Sequence, residues 1–354
     1  MITLPAYDAA CAAGTECVGE TATHKAKPVF PVMPGKPVIL GARTLAAMEL
    51  GPRRFMLSPI LPDQGLMMLA AWRGIGKTWV SLGIAAAVAA GGSFLNWRAP
   101  EPRKVLYLDG EMATIDLKKR MAAILPAFPS LDEANLQFMP SGEQHDDMPN
   151  LSTAEGQRDI DHAVEWAELV IVDNLSCLCR DGHENEADAW LPVQNWLLRL
   201  RRRGKSVLIV HHLNKAGSQS GTSARERILD TSVKMVRPAN YQNGQGARFV
   251  VQIDKARSLA GDEAADFEAT LNVVDGIATW TTTSSPTVTL ADQALPLFLG
   301  GNSVRKVAEL LGISKTEAGR ARKELAVAGR LAPNQPADSE TDPDDAGILE
   351  QEAA

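Results

Sequence analysis

One segment limits what this chain can fold into more than any other: Ala71-Trp72-Arg73-Gly74-Ile75-Gly76-Lys77-Thr78. It fits the phosphate-loop pattern G-x-x-x-x-G-K-[ST] except at its first position, where alanine replaces glycine. The pattern has a mechanical basis. Glycines let successive backbone N–H groups curl around phosphate oxygens. The lysine sets a point charge beside the outer phosphates, and the threonine hydroxyl ligates Mg²⁺. The helix that begins there points the positive end of its dipole at the anion. Alanine at the first position serves only if its φ stays negative. The flanks suit the motif. Leu66-Met67-Met68-Leu69-Ala70 reads as a buried strand, and the stretch from Lys77 to Ala90 reads as a helix. The expected ligand is ATP with Mg²⁺, held by Arg73, Gly74, Ile75, Gly76, Lys77, Thr78 and Trp79.

More short apolar runs follow. Val105-Leu106-Tyr107-Leu108, Leu169-Val170-Ile171-Val172-Asp173 and Ser206-Val207-Leu208-Ile209-Val210-His211 read as strands, with helical stretches over residues 115–125 and 187–203 between them. Continuous apolar strands alternating with helices predict a parallel sheet covered on both faces, an α/β fold. Beyond Asp230 the segments 233–236, 248–254, 269–274 and 277–282 read as strands joined by short turns, with Asp275-Gly276 as a hairpin signal. They add antiparallel strands at the C-terminal edge.

Ligands in such sheets collect at the carboxyl ends of the strands. Asp173 closes one of them and is the candidate for holding Mg²⁺. Asp109 and Glu111 follow another strand. Glu111 is the first candidate for the group that polarises the attacking water, and Asp109 is the alternative. His211 and His212 end the fourth strand. Strand side chains alternate, so one faces the interior and one the cleft, with His212 favoured for contact with the terminal phosphate. Lys255 and Arg257, two apart after a strand, project in a similar direction. An arginine presented across a subunit boundary can neutralise transition-state charge.

In this order, AWRGIGKT, LYLDGEM, LVIVDNLS, LIVHHLNKAG and IDKAR resemble the RecA-like ATPases, and within them the hexameric plasmid replication helicases of the RepA type. The resemblance covers residues 55–280. It implies a RecA-like sheet, ATP hydrolysis with Glu111 as catalytic glutamate, Asp173 as the metal-side acid and His212 as sensor. It places Lys255 and Arg257 on a neighbouring subunit's nucleotide, and so implies a homo-oligomeric ring, a hexamer. In this family the loops after the third and fourth strands touch single-stranded DNA. The matching segments are residues 179–188 and 214–227. The second carries Lys215, Arg225 and Arg227 with two glycines, which suits a contact that tracks the backbone; the first is acidic and does not. The run Arg199, Arg201, Arg202, Arg203, Lys205 is expected to sit at the C-terminus of a helix, where cations are favoured.

A helical unit follows over residues 287–331. Ala308, Gly312 and Ala318 fall at the small-residue positions of a helix-turn-helix, and Ser314 caps its second helix. Residues 303–331 hold seven Lys or Arg against three Glu. Lys315, Thr316 and Arg320 would face double-stranded DNA.

Composition sets only wide bounds. The chain of 354 residues, 45% hydrophobic and 22% charged, is long enough for one large domain and a small one. No apolar run reaches the ~20 residues of a membrane span, and no secretory signal is visible, so a cytoplasmic location without a membrane partner is expected. The domains expected are a flexible arm (1–40), the ATPase domain (41–282), the helix-turn-helix unit (287–331) and a disordered acidic tail (332–354). Seven acidic residues from Asp338 onward equal the whole net charge of −7, so the low isoelectric point says nothing of the folded body. Cys11, Cys17, Cys177 and Cys179 lack zinc-site spacing and read as reduced thiols. Three activities remain open: a helicase, a DNA-bound ATP switch such as a loader or regulator, and a P-loop enzyme acting on a small molecule.

Overall fold

The computed structural model describes residues 38–180, 187–213, 226–238, 240–257, 259, 261–284 and 290–331. The chain divides after Pro52. The first unit contributes one described helix, Ala42–Ala46, which buries no residue.

From Arg53 onward the organising element is a nine-stranded sheet. Its strands are β1 Leu66–Ala71, β2 Val105–Asp109, β3 Leu136–Pro140, β4 Leu169–Asp173, β5 Ser206–His212, β6 Thr231–Val236, β7 Arg248–Ala256, β8 Phe267–Val274 and β9 Ile277–Ser284. Their spatial order is β9-β8-β7-β6-β1-β5-β4-β2-β3. The six strands from β6 to β3 run parallel, and β7, β8 and β9 add antiparallel at one edge. This is the RecA-like arrangement expected, with one refinement: β6 still belongs to the parallel set, and the reversal begins at β7.

The central strands are apolar throughout because both faces are covered. On β1, Met67, Leu69 and Ala71 pack into one core, and Leu66, Met68 and Ala70 pack into the other. The first core is filled by helix α1, Lys77–Ala90, and by helix α2, Thr114–Ile124. The second is filled by helix α3, Ala187–Arg202, through Trp190, Val193, Trp196, Leu197 and Leu200. β3 carried no sequence signal: Leu136–Pro140 is half-buried at the sheet edge, so it has neither a continuous apolar run nor a clear alternation. At the opposite edge the hairpin signal holds. Asp275 and Gly276 both take positive φ, 51° and 76°, as a two-residue hairpin turn requires.

The basic run lies in and just after the last turn of α3, as expected, and four of its five members also engage neighbouring segments. Arg199 donates to Gln157, Arg201 to Asp230 and to the Gln64 carbonyl, and Lys205 to the Glu165 carbonyl. Arg203 bridges Asp161 and Glu165, each at 2.5 Å.

Residues 290–331 form helix α4, Leu290–Leu299, helix α5, Val304–Leu311, and helix α6, Lys315–Val327, around a small core of their own that includes Ala308 and Ala318. Gly312 ends α5 at φ 65°, and Ser314 opens α6 with a complete capping box to Glu317. Among the described residues no helix is long and apolar enough to cross a membrane.

Gly83 shows how closely α1 is seated. A Cβ there would lie 2.1 Å from the Phe94 ring, too near to be absorbed without moving that buried side chain. Gly83→Ala should therefore lower stability by about 1–3 kcal/mol, read as a shift in the urea midpoint at unchanged slope. An unchanged midpoint would mean that this packing is looser than described.

Candidate nucleotide and metal site

The phosphate loop leaves the carboxyl end of β1 and leads into α1. Ala71 is the last residue of the strand and is not among the residues with positive φ, so the departure from glycine is harmless. Gly76 is the opposite case. It takes φ 122°, and a Cβ there would come within 2.9 Å of Ala247. No side chain caps the start of α1, which leaves its first N–H groups for an anion. Lys77 is buried, and its Nζ donates to the Ala71 and Trp72 carbonyls at 2.9 and 3.1 Å. Burial, opposed by the charges of Asp173 and Glu111, brings its pKa down to about 8.

The strand order determines what stands beside this loop. β5 is the neighbour of β1 and places His212 next to Ala71. β4 comes next, and then β2, with Asp173 and Asp109 in register at their ends. Asp173 is buried and accepts hydrogen bonds from Ser81 Oγ at 3.1 Å and from the Tyr107 hydroxyl. The Thr78 hydroxyl bonds to it as well. Burial pushes its pKa up, against those hydrogen bonds and the Lys77 charge. Asp109 is also buried, with Oδ2 lacking any partner among the described residues. Burial, with the neighbouring carboxylates, raises its pKa to about 6. Two buried carboxylates and a threonine hydroxyl, one carboxylate oxygen unsatisfied, make a donor set of hard oxygens that fits Mg²⁺. Thr78 and Asp173 would hold it, and Asp109 would sit at its edge.

Glu111 lies just past β2 with its carboxylate largely exposed. Asn174 Nδ2 donates to its Oε2 and stands 3.1 Å from His212 Nε2, which itself is 3.5 Å from Glu111 Oε2. Asn174 also caps the short helix Leu175–Leu178, so its side chain is held from both ends. Burial, helped by the Lys77 charge, lowers the pKa of His212. A neutral imidazole at neutral pH follows, suited to hydrogen bonding and not to carrying charge. His211 faces the interior, as alternation along β5 requires.

These residues enclose a cavity of about 570 Å³. It brings together Arg73, Gly74, Gly76, Lys77, Thr78, Trp79, Asp109, Glu111, Asp173 and His212. The Ile75 side chain is buried in the core below the loop and does not line the cavity, so any part it has in holding phosphate falls to its backbone N–H. Lys255 and Arg257 are not in it. They donate to the Glu226 and Arg227 carbonyls, the second at 2.9 Å. Arg227 itself is exposed, as are Lys315, Thr316 and Arg320 on α6. Lys215 and Arg225 lie outside the described residues, as do residues 181–186 of the acidic loop.

Sequence reasoning missed Asn174, Tyr107, Ser81, Asp116, Arg120 and Arg237. Arg120 sits over the Trp79 ring, 5.3 Å from its centroid, and lines the cavity with Asp116. Arg237 donates to the Gly74 carbonyl at 3.0 Å and the Gly246 carbonyl at 2.8 Å, bracing the loop from the turn before β7. Only Asn174 had a readable signal, an amide directly after a strand-end aspartate.

An uncapped glycine loop, a buried lysine and a carboxylate pair on adjacent parallel strands define a P-loop ATPase. Residues 37–218 match a family model described as an AAA domain, just over half of the chain, and the chain belongs to that family. Comparison with curated proteins finds no match. Among solved structures, the KaiC-like protein PH0186 from the hyperthermophilic archaeon Pyrococcus horikoshii OT3 is 15% identical, with a TM-score of 0.43, over 62% of this chain and 90% of that one. That likeness is too distant to bear on activity.

The pKa values of Lys77 and Asp109 define a pH window. Phosphate binding needs Lys77 charged, so affinity is lost as pH rises through about 8. An ionised Asp109 at the edge of the metal strengthens its hold, so affinity also weakens as pH falls through about 6. The dissociation constant for ATP·Mg should be lowest between these values and about tenfold weaker one unit above the lysine pKa, measured by calorimetric titration. A constant affinity across this range would contradict the assignment of both groups.

Proposed function

We propose that this chain is an ATP-hydrolysing, DNA-associated motor assembled as a ring of identical subunits, in the manner of RepA-type replicative helicases. One observation carries the ring: the register of β7. Lys255 pairs with Ser232, and Ser232 with Met68, three residues before Ala71. The Arg257 N–H bonds to the Asp230 carbonyl, and the Asp230 N–H to the Leu66 carbonyl. At about 3.3 Å per residue, Arg257 stands on the order of 15 Å below the loop, at the other end of the sheet. It cannot serve its own nucleotide. Only a second copy could bring it to a terminal phosphate, where it would neutralise charge as the β–γ bond opens.

In each site Glu111 orients the attacking water and takes up its proton. Asn174 fixes the carboxylate, and His212 beside it senses the terminal phosphate. Both residues touch Asn174, so loss of that phosphate would be felt at Glu111 and His212 together. Single-stranded DNA would be the track, contacted by Lys215, Arg225 and Arg227, with duplex DNA read by α6.

The second reading is a DNA-bound loader or regulator that hydrolyses ATP without unwinding. The helical unit favours it, because α6 begins in a capped, exposed turn carrying Lys315, Thr316 and Arg320.

Under the motor reading, single-stranded DNA raises ATP turnover about tenfold or more, and strand displacement accompanies it. Turnover raised without displacement points to the regulator, and turnover indifferent to DNA sinks both in favour of a small-molecule enzyme. Arg257→Ala should reduce turnover about 10³-fold while ATP affinity is retained. A strictly monomeric chain in light scattering, with and without a nucleotide analogue, would remove the role given to that arginine.

A further inference from the structure

The cations around the cavity are not equivalent. Lys77 is committed to loop carbonyls, Arg120 to the Trp79 ring, and Arg237 to the Gly74 and Gly246 carbonyls. Lys255 and Arg257 stand at the far end of the sheet. Arg73 differs from all of them. It lines the cavity, it is exposed, and it makes no hydrogen bond or ion pair to any described residue. The carbonyl of the next residue, Gly74, is pinned by Arg237, so the arc that presents Arg73 is braced.

We propose that Arg73 is a catalytic arginine supplied by the chain's own phosphate loop, aimed at the terminal phosphate of the bound nucleotide. This rests on the ATPase reading of the site and adds a role within one subunit, separate from that of Lys255 and Arg257.

Two independent facts locate its target. Arg73 shares the cavity with Lys77 and His212, the two groups on either side of where the last phosphate would lie. Its charge also reaches His212, where it acts with burial and the Lys77 charge to lower the pKa. A guanidinium that lines this cavity with no carboxylate partner among the described residues is free to meet an anion that enters it. In hydrolysis, water adds to the γ-phosphorus as the bond to the β–γ bridging oxygen breaks. The products are ADP and inorganic phosphate, and the proton of the water goes to Glu111. Arg73 exchanges no proton. It donates N–H groups to equatorial oxygens whose charge grows in the transition state.

The test uses the full chain with Mg²⁺, comparing wild type, Arg73→Ala and Arg73→Lys. Binding of ADP and of ATPγS is measured by calorimetry, and hydrolysis of ATP in single turnovers. The side chain is exposed, so melting temperatures should match within error. Arg73→Ala should hydrolyse ATP at least about 10²-fold more slowly. It should bind ADP within about threefold of wild type and bind ATPγS at least about tenfold more weakly. Arg73→Lys should recover part of the rate by restoring a point charge without the planar fork. Equal weakening of ADP and ATPγS would overturn the proposal, because it would mean that Arg73 only shapes the loop. A variant as fast as an active wild type would overturn it too, leaving the ATPase reading intact. A wild type that hydrolyses no ATP would overturn both.

Discussion

A buried carboxylate needs a cation, and the rest of this molecule is arranged around that need. Asp173 ends β4 with almost no access to water. The hydroxyls of Ser81, Tyr107 and Thr78 converge on it. Hydrogen bonds of this kind favour the ionised form, while burial opposes it. The charge of Lys77 acts on Asp173, from a side chain itself buried and drawn below its ordinary pKa. The pair is poised, each partner only partly compensated, with Asp109 Oδ2 lacking a partner among the described residues. Entry of a divalent cation with a polyphosphate supplies the positive charge to the acids and the negative charge to the lysine.

The sheet makes this possible through order and register. The chain places β2 and β4 apart from β1 and then inserts β5 between β1 and β4. The strand that leads into the phosphate loop and the strand that leads to Glu111 are thereby three spacings apart, each about 4.8 Å, with two strands between them, which leaves room for a terminal phosphate and a water in line. Both cores are needed. Tyr107 and α1 belong to one face, Val172 and α3 to the other, and the site sits where the two meet at the strand ends. The same register places Lys255 and Arg257 at the opposite end of the sheet. One chain thus carries two cationic features pointing away from each other.

Much of this was legible in the residues alone, because the motif residues are constrained by local geometry. Gly76 must adopt a φ that few other residues allow. A strand of four apolar residues followed by an acid, as at Asp173, has few ways to be buried in a parallel sheet. Ala71 was settled only by the coordinates, since φ at the end of a strand is not written in the residue type. Tyr107, Ser81 and Asn174 were missed for a different reason. Tyr107 reads as one more apolar strand residue, and Ser81 as one more small residue in a helix. Their hydroxyls matter only because β2 and α1 bring them to Asp173 across 66 and 92 residues of sequence. Arg237 was invisible for the same cause, lying 163 residues from the carbonyl it braces. The basic run at Arg199–Arg203 does lie at a helix end, as its sequence indicated, but its partners Gln157, Asp161, Glu165 and Asp230 come from segments too distant in sequence to be read in advance.

The most direct measurement of the central claim is metal binding at Asp173, read with Mn²⁺ in place of Mg²⁺ by electron paramagnetic resonance in the presence of ATP. One protein-bound Mn²⁺ per chain is expected in the wild type, with the bound signal abolished in Asp173→Ala while the Tyr107→Phe chain retains it. A wild type that leaves Mn²⁺·ATP free in solution, or an Asp173→Ala chain that binds it as tightly, would contradict a metal-nucleotide site built on that carboxylate.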